Sequence, residues 1–464
     1  MAGRLDFGFT FGPHTEGLPA RAQHGEPFRV LVLGDFSGHG LTGAPHAKPL
    51  AQRTPQRVDI DNFDAVLARH APRLSLPLGS ARLELTFKSL DDFHPDQLVS
   101  RLPQPGAQVT APQATAAPAP TASQEDDAST MERLLGRKPS VPAAATGLDA
   151  LIKTIVAPHL VPDATVAGQA QRKAANDAAL GELLRAVLHH PAFQALEAAW
   201  RGVHGLVRQL NLDEDLQLHL LDVTQAELQA EVAVAASTSL ARCLQRQDDD
   251  QAPSWPLLVG LFDFGPSEAD LSLLASLGEV ARKLGGSFMA SARPSVVGLT
   301  SFADAGDPSD WPGMDAEDQR RWDAFRRGPQ AASVHLAAPR LLLRLPYGRV
   351  TDPVSAFAFE ELLPTFDHDA CLWGHGALAG AQLLGQAFLE HGWDLHLNES
   401  LDLEDLPACV VERDGDKQLL PCAEATLGER AGERLLALGL MPLLSYKHRN
   451  AVRVMSFQTM APRA

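Results

Sequence analysis

Residue types with chemical potential occur in four places. The first is the turn Gly34-Asp35-Phe36-Ser37-Gly38-His39-Gly40, which follows the apolar run from Phe28 to Leu33. A glycine-rich turn after a strand can cradle phosphate on its backbone N–H groups. This turn has no Gly-Lys-Ser/Thr and leads into a proline-containing loop rather than an apolar helix, which excludes a P-loop. Ser37 in Gly-Asp-Phe-Ser-Gly offers a hydroxyl nucleophile, but the Gly-x-Ser-x-Gly elbow is absent and a structural turn accounts for it. The second place is the pair His189-His190. It lacks His-Glu-x-x-His or a carboxylate at ligand offset, so it is read as a helix-end cap. The third is Asp222 and Asp263, each at the carboxyl end of a predicted strand, where open α/β sheets bind ligands. No glycine fingerprint or nucleophile joins them, and capping or turn chemistry explains them. No catalytic, cofactor-binding or metal-ligating set emerges, and a non-enzyme is expected.

The fourth place carries charge rather than reactivity. The run VHLAAPRLLLRLPYGRV holds Arg340 and Arg344 between Pro339 and Pro346, and Glu360 and Glu361 follow within twenty residues. Arginine is almost never buried unless paired. One of these arginines is therefore expected to be buried against a carboxylate, with Glu360 or Glu361 as the partner. Proline cannot donate to a sheet ladder, so the run is read as an edge strand or an irregular buried segment. The stretch from Leu372 to Leu389 has helical apolar spacing and small residues that permit close packing.

The elements that position these residues come from the rest of the chain. Its 464 residues are too many for one ordinary core, so two or three domains are expected. A net charge of −17 argues against nucleic acid or an anionic membrane as partner. No apolar run is long enough to span a bilayer and no secretory signal pattern opens the chain, so a soluble, cytoplasmic protein is expected. Cys243, Cys371, Cys409 and Cys422 form no Cys-x-x-Cys and predict reduced thiols.

Asp61 or Asn62 can cap a helix with Phe63, Val66 and Leu67 on its apolar face. A period-two strand (Leu83, Leu85, Phe87) and a second capped helix from about Pro95 follow. Residues 104–146 are rich in Ala, Pro, Thr and Gln and read as a disordered linker, in which MERLLGRKP offers a single helical turn. Beyond them a long helical stretch, Asp177 to Leu210, is interrupted at Pro191. Strands at 216–223 and 256–264 and in SFMASARP then alternate with helices, which predicts a parallel sheet covered on both faces. A closing β-pair, from Leu440 to Leu444 and from Ala451 to Phe457, ends the pattern.

Several of these segments in order carry a family resemblance. APRLLLRLPYG, FAFEE, LWGHGA, the Phe388/Gly392/Trp393 set and HHPAFQALEAAWRGVH resemble the large subunit of the type VI secretion contractile sheath. The GDFSG turn, the NFD helix, APRL and Ser89-Leu90-Asp91-Asp92-Phe93 resemble its small subunit. The resemblance implies an α/β fold of sheath-subunit-like mixed sheets flanked by helices, in which two portions pack together and are joined by the linker. These are residues 1–103 and 147–464. It implies a non-enzymatic sheath component without cofactors. The implied partners are other sheath subunits, the inner-tube protein, baseplate proteins and the recycling ATPase, with no nucleic acid and no membrane insertion. The alternative is a soluble adaptor that caps or nucleates a sheath or baseplate. The family's Gly-Gly turn, expected near Ser400, is replaced by NESLDLEDLP, and large subunits continue past the position of Ala464. The portion is thus expected to be truncated relative to the family and to lack the layer that weaves neighbouring protomers together by strand exchange.

Overall fold

The apolar run FRVLVLG becomes a strand, β1 (Phe28–Gly34), in which every residue but Arg29 is buried. Aliphatic and β-branched side chains suit a pleated surface packed on both sides. The computed structural model describes residues 26–78, 81–102, 166–233, 238–245, 254–362, 367–395, 401–413 and 416–462. The expected linker and the MERLLGRKP turn lie outside them.

The remaining strands are β2 (Gln56–Val58), β3 (Arg73–Leu78), β4 (Ala81–Thr86), β5 (Leu216–Asp222), β6 (Leu257–Phe264), β7 (Ser287–Ala292), β8 (Val334–Ala338), β9 (Leu341–Leu342), β10 (Trp373–Gly374), β11 (Asp402–Leu403), β12 (Val410–Arg413), β13 (Asp416–Leu419), β14 (Leu440–Ser445) and β15 (Val452–Val454). The helices that matter here are α1 (Phe63–His70), α2 (Pro95–Arg101), α3 (Val166–Leu188), α4 (Pro191–Gln209), α5 (Gln225–Ala233), α6 (Glu268–Lys283), α7 (Ala316–Arg326), α8 (Ala377–His391) and α9 (Glu429–Ala437).

Nine strands form one sheet in the order β11-β15-β14-β8-β7-β6-β1-β5-β2. From β14 to β5 the pairings are parallel, whereas β15, β11 and β2 run antiparallel at the two sides. The sheet is therefore mixed, with a parallel centre. β1 lies between β5 and β6, paired from Phe28↔Leu216 to Gly34↔Asp222 on one side and from Val30↔Leu257 to Leu33↔Gly260 on the other. A strand from segment 26–102 is thus an interior strand of a sheet built otherwise from segment 166–462, apart from edge strand β2. Its alternating side chains serve two cores: Phe28, Val30 and Val32 pack under α4 and α8, while Leu31 and Leu33 join the opposite core, which includes α6 residues Leu273 and Leu277.

Helix α1 buries Phe63, Val66 and Leu67, the face its spacing predicts. The run around Pro339 departs from the expected edge strand. β8 is interior, buried at all five residues, and paired with β7 and β14. Pro339 follows the last ladder residue across a cis Ala338–Pro339 bond, so its missing N–H leaves no gap between β8 and its neighbours.

Two histidines are built into this sheet as neutral groups. His335 on β8 is 2% exposed, lies 2.9 Å from the Gln458 carbonyl oxygen through Nδ1, and is pushed down by burial to about 4. His219 on β5 packs on Trp255 and is lowered to about 4 by burial and then by Arg29 and Arg57. Unfolded histidine titrates near 6.5, so the unfolded chain binds more protons between about 4 and 6.5. Stability should accordingly fall on acidification through that window, by up to about 1.4 kcal/mol per pH unit for each group. Urea midpoints measured at pH 7 and pH 4.5 test this. His335→Gln should shrink the difference, and an unchanged difference would rule out the contribution of His335.

Candidate functional site

The candidate site is the junction of segments 26–102 and 166–462, where polar groups that the sheet cannot satisfy meet. Phe28 stacks obliquely on Phe388 and Trp393, with ring centroids 4.9 and 5.5 Å away. The Trp393 indole donates to the Glu26 carbonyl and the Trp200 indole to the Phe36 carbonyl, both at 2.9 Å. Phe87 and Phe93 stack at 4.0 Å and present their edges to Phe193 of α4. Asp96 on α2 accepts from the Ser355 and Ala356 backbone N–H groups and from the Ser355 hydroxyl. All of these contacts except the Phe87–Phe93 stack cross between the two segments.

At the carboxyl ends of β1 and β5 the GDFSGHG turn folds over Asp222. Asp222 Oδ1 accepts from the Phe36 and Ser37 N–H groups, and Asp35 Oδ2 from those of Gly40 and Leu41. Gly38 has a φ of 73°, and a Cβ there would sit 2.4 Å from the Arg73 carbonyl oxygen, so this turn requires glycine. The turn delivers His39 into a buried cluster. Its Nδ1 lies 2.9 Å from Ser37 Oγ and 3.0 Å from Asp35 Oδ1, and its Nε2 lies 3.0 Å from Glu227 Oε2. Arg53 bonds both Glu227 oxygens and donates at 2.7 Å to the Asp222 carbonyl.

Serine, histidine and carboxylate are thus in register, the arrangement of a hydrolase. The electrostatics oppose that use. Burial lowers the His39 pKa, but hydrogen bonds to Asp35 and Glu227 and the charges around it lift it to about 10. An imidazolium at neutral pH cannot accept a proton from Ser37. The cluster joins β1 to β5 and α5 instead.

A second buried cluster gathers on Arg344. Its guanidinium bonds Glu361 at 2.8 and 3.0 Å and Glu197 at 2.9 and 3.3 Å. Arg201 Nε donates to Glu197 at 2.7 Å and its Nη2 to the Tyr347 hydroxyl at 2.9 Å, while the Tyr347 ring lies 4.1 Å from the Arg344 carbon. The Tyr347 N–H also donates to Glu361. Glu197 and Glu361 are 0% and 1% exposed. Burial would raise the Glu197 pKa, but Arg344 and Arg201 outweigh it and hold it below the ordinary value. Two cations thus face two anions.

Of the four ion-pair candidates, Arg344 and Glu361 meet. Arg340 is only half-buried, and its partner is Glu424 at 2.6 and 2.8 Å, not Glu360 or Glu361. Glu360 stands apart: its carboxylate accepts from the Arg349 N–H, because adjacent residues of an extended segment point to opposite sides. Sequence reasoning missed Glu197 and Glu424. Glu197 had a signal, since it interrupts a buried helical face and lies four residues before Arg201. Glu424, eighty-four residues from its arginine, had none.

His190 is the N-cap of α4, with Nδ1 accepting from the Ala192 N–H, and His189 Nε2 stands 3.8 Å from Glu361. Asp263 lies 3.2 Å from His375. All four cysteines are buried and none is joined in a disulfide.

Comparison with known proteins fits this geometry. Residues 171–461 match the VipB family, described as "EvpB/VC_A0108, tail sheath N-terminal domain". Residues 9–111 match "Type VI secretion system, VipA, VC_A0107 or Hcp2". The chain is 28% identical over 328 residues to the type VI secretion system sheath protein TssC1 of Pseudomonas aeruginosa, covering 67% of this chain and 66% of that protein. It is 36% identical over 76 residues to TssB1 of the same organism, covering 15% of this chain and 42% of TssB1. The chain therefore spans slightly less than two thirds of the first relative and under half of the second. With its greater part matching one sheath family and its first hundred residues another, the chain belongs to the type VI secretion contractile sheath proteins, with large- and small-subunit sequences in one polypeptide.

Proposed function

We propose that the chain is a non-enzymatic structural component of a type VI contractile sheath or sheath-like assembly, acting in the cytoplasm. In this reading residues 1–103 supply the small-subunit portion, 104–146 a tether and 147–464 the large-subunit portion. The observation that carries it is the position of β1, a strand of the VipA-like segment held between two strands of the VipB-like segment. Sequences that match two separate relatives, TssC1 and TssB1, thus share one sheet within one chain. Partners are other sheath subunits first, then the inner-tube protein, baseplate proteins and the recycling ATPase. Among the described residues no helix is long and apolar enough to cross a membrane. Strong acidity does not favour nucleic acid.

Negative-stain microscopy of the purified chain, alone and mixed with two-chain sheath subunits, tests the assembly. Tubes or stacked rings that incorporate the chain are expected; discrete particles in both preparations would instead favour an adaptor. Purified protein should turn over no ester, nucleotide or peptide substrate. A turnover abolished by Ser37→Ala would contradict the structural reading.

A further inference from the structure

The turn cluster has a property that hydrogen bonding alone does not require. Asp35 Oδ1 is shut off from solvent and faces His39 Nδ1 at 3.0 Å. Asp222, 5% exposed, directs Oδ2 toward two imidazoles, 3.6 Å from His39 Nδ1 and 3.4 Å from His46 Nε2. The ligand atoms of Asp35, His39 and Asp222 all fall within 4.8 Å of one another. Donors held at about 2.0–2.1 Å around a tetrahedral ion stand roughly 3.3–3.4 Å apart, close to the 3.0 Å from His39 to Asp35 and the 3.6 Å from His39 to Asp222.

The surroundings supply what such ligands need. A metal-bound histidine usually donates its other ring N–H to a carboxylate or carbonyl, which fixes the tautomer. His39 Nε2 has Glu227 for this, itself held by Arg53 and by the Thr224 N–H. His46 Nδ1 lies 2.9 Å from the Lys48 carbonyl oxygen and 3.0 Å from the Lys48 nitrogen, so either tautomer is satisfied. The second oxygens of Asp35 and Asp222 are fixed by backbone N–H groups. Charge points the same way: three carboxylates, Asp35, Asp222 and Glu227, surround His39, and Arg53 is bonded to Glu227 among them.

We propose that Asp35, His39 and Asp222 form a binding site for a divalent transition metal, with His46 beside it, 3.4 Å from Asp222; zinc is the best match to a mixed imidazole and carboxylate set. Ser37 Oγ, 2.9 Å from His39 Nδ1, lies at its margin. Asp35 and His39 come from the small-subunit-like segment and Asp222 from the large one, so the metal pins the two together at the end of the shared sheet. The site stands independently of whether the chain polymerises.

The test uses the full chain without a polyhistidine tag. Equilibrium dialysis against zinc followed by elemental analysis should give one zinc per chain, with a melting temperature raised by zinc and restored by chelator. Cobalt in place of zinc should give the intense visible absorption of a four-coordinate ion. Asp35→Asn and His39→Gln should each weaken binding by more than about a thousandfold, beyond the 10–100-fold typical of outer-shell changes, and His46→Ala by no more than that range. His448→Ala, in an exposed turn, should leave it unchanged. Asp35→Asn keeps an oxygen for the Gly40 and Leu41 N–H groups, so this substitution spares the turn. Absence of stoichiometric zinc, or unchanged affinity in Asp35→Asn, would overturn the site and leave a hydrogen-bonded cluster.

Discussion

Leu31→Asp is expected to abolish cooperative folding of the whole chain, not of one segment. Leu31 is 0% exposed, lies at the middle of β1, and pairs with His219 on one side and Leu258 on the other. An aspartate there would be an unpaired charge in an apolar core between two strands of the other segment. The largest single-residue losses, above about 4–5 kcal/mol, arise from such burial. Because β1 carries both faces of the sheet, the damage spreads to both cores. Expression with the soluble fraction and the far-ultraviolet melting profile reads the result. Val350→Asp, at an 88% exposed position, is the matched control and should behave as the parent. If Leu31→Asp leaves a soluble chain whose large segment melts at the parental temperature, β1 is not an interior strand.

Arg344→Ala should cost about 3–5 kcal/mol, the usual penalty for removing one partner from a buried pair. Here two buried carboxylates, Glu197 and Glu361, lose the guanidinium that bonds both. Arg201 remains on Glu197, but Glu361 keeps only the Tyr347 N–H and the more distant His189. Adding Glu361→Gln to Arg344→Ala should therefore recover part of the loss, since the orphaned charge rather than the missing bond dominates. Urea unfolding of the single and double variants separates these terms. A single variant within about 0.5 kcal/mol of the parent, the usual range for surface changes, would remove Arg344 from the framework.

What the sequence revealed follows the range of the physics involved. Local periodicity exposed the Phe63/Val66/Leu67 face of α1, the strand pattern of β5 to β7 and the cap at His190. Composition alone indicated that an arginine such as Arg344, in an apolar run, must be paired. Its second partner was not legible, because Glu197 is 147 residues away and the chain offers no distance information. Nor could spacing decide between Glu360 and Glu361. Sheet order was hidden for the same reason: β1 lies between β5 and β6, strands that follow it by nearly two hundred residues or more. β8 was misplaced because Pro339 was counted as part of the ladder, although it stands just past the ladder's end. The turn cluster escaped notice since its carboxylates come from both segments.

The central claim is that the small- and large-subunit-like segments share one sheet within one chain. A specific protease site inserted between residues 103 and 165, followed by complete cleavage and gel filtration in native buffer, addresses it most directly. The two fragments should co-elute at the volume of the uncleaved chain and separate only in denaturant, because a central parallel strand cannot leave without exposing both cores. Fragments that part cleanly in native buffer, each still folded, would contradict the shared sheet.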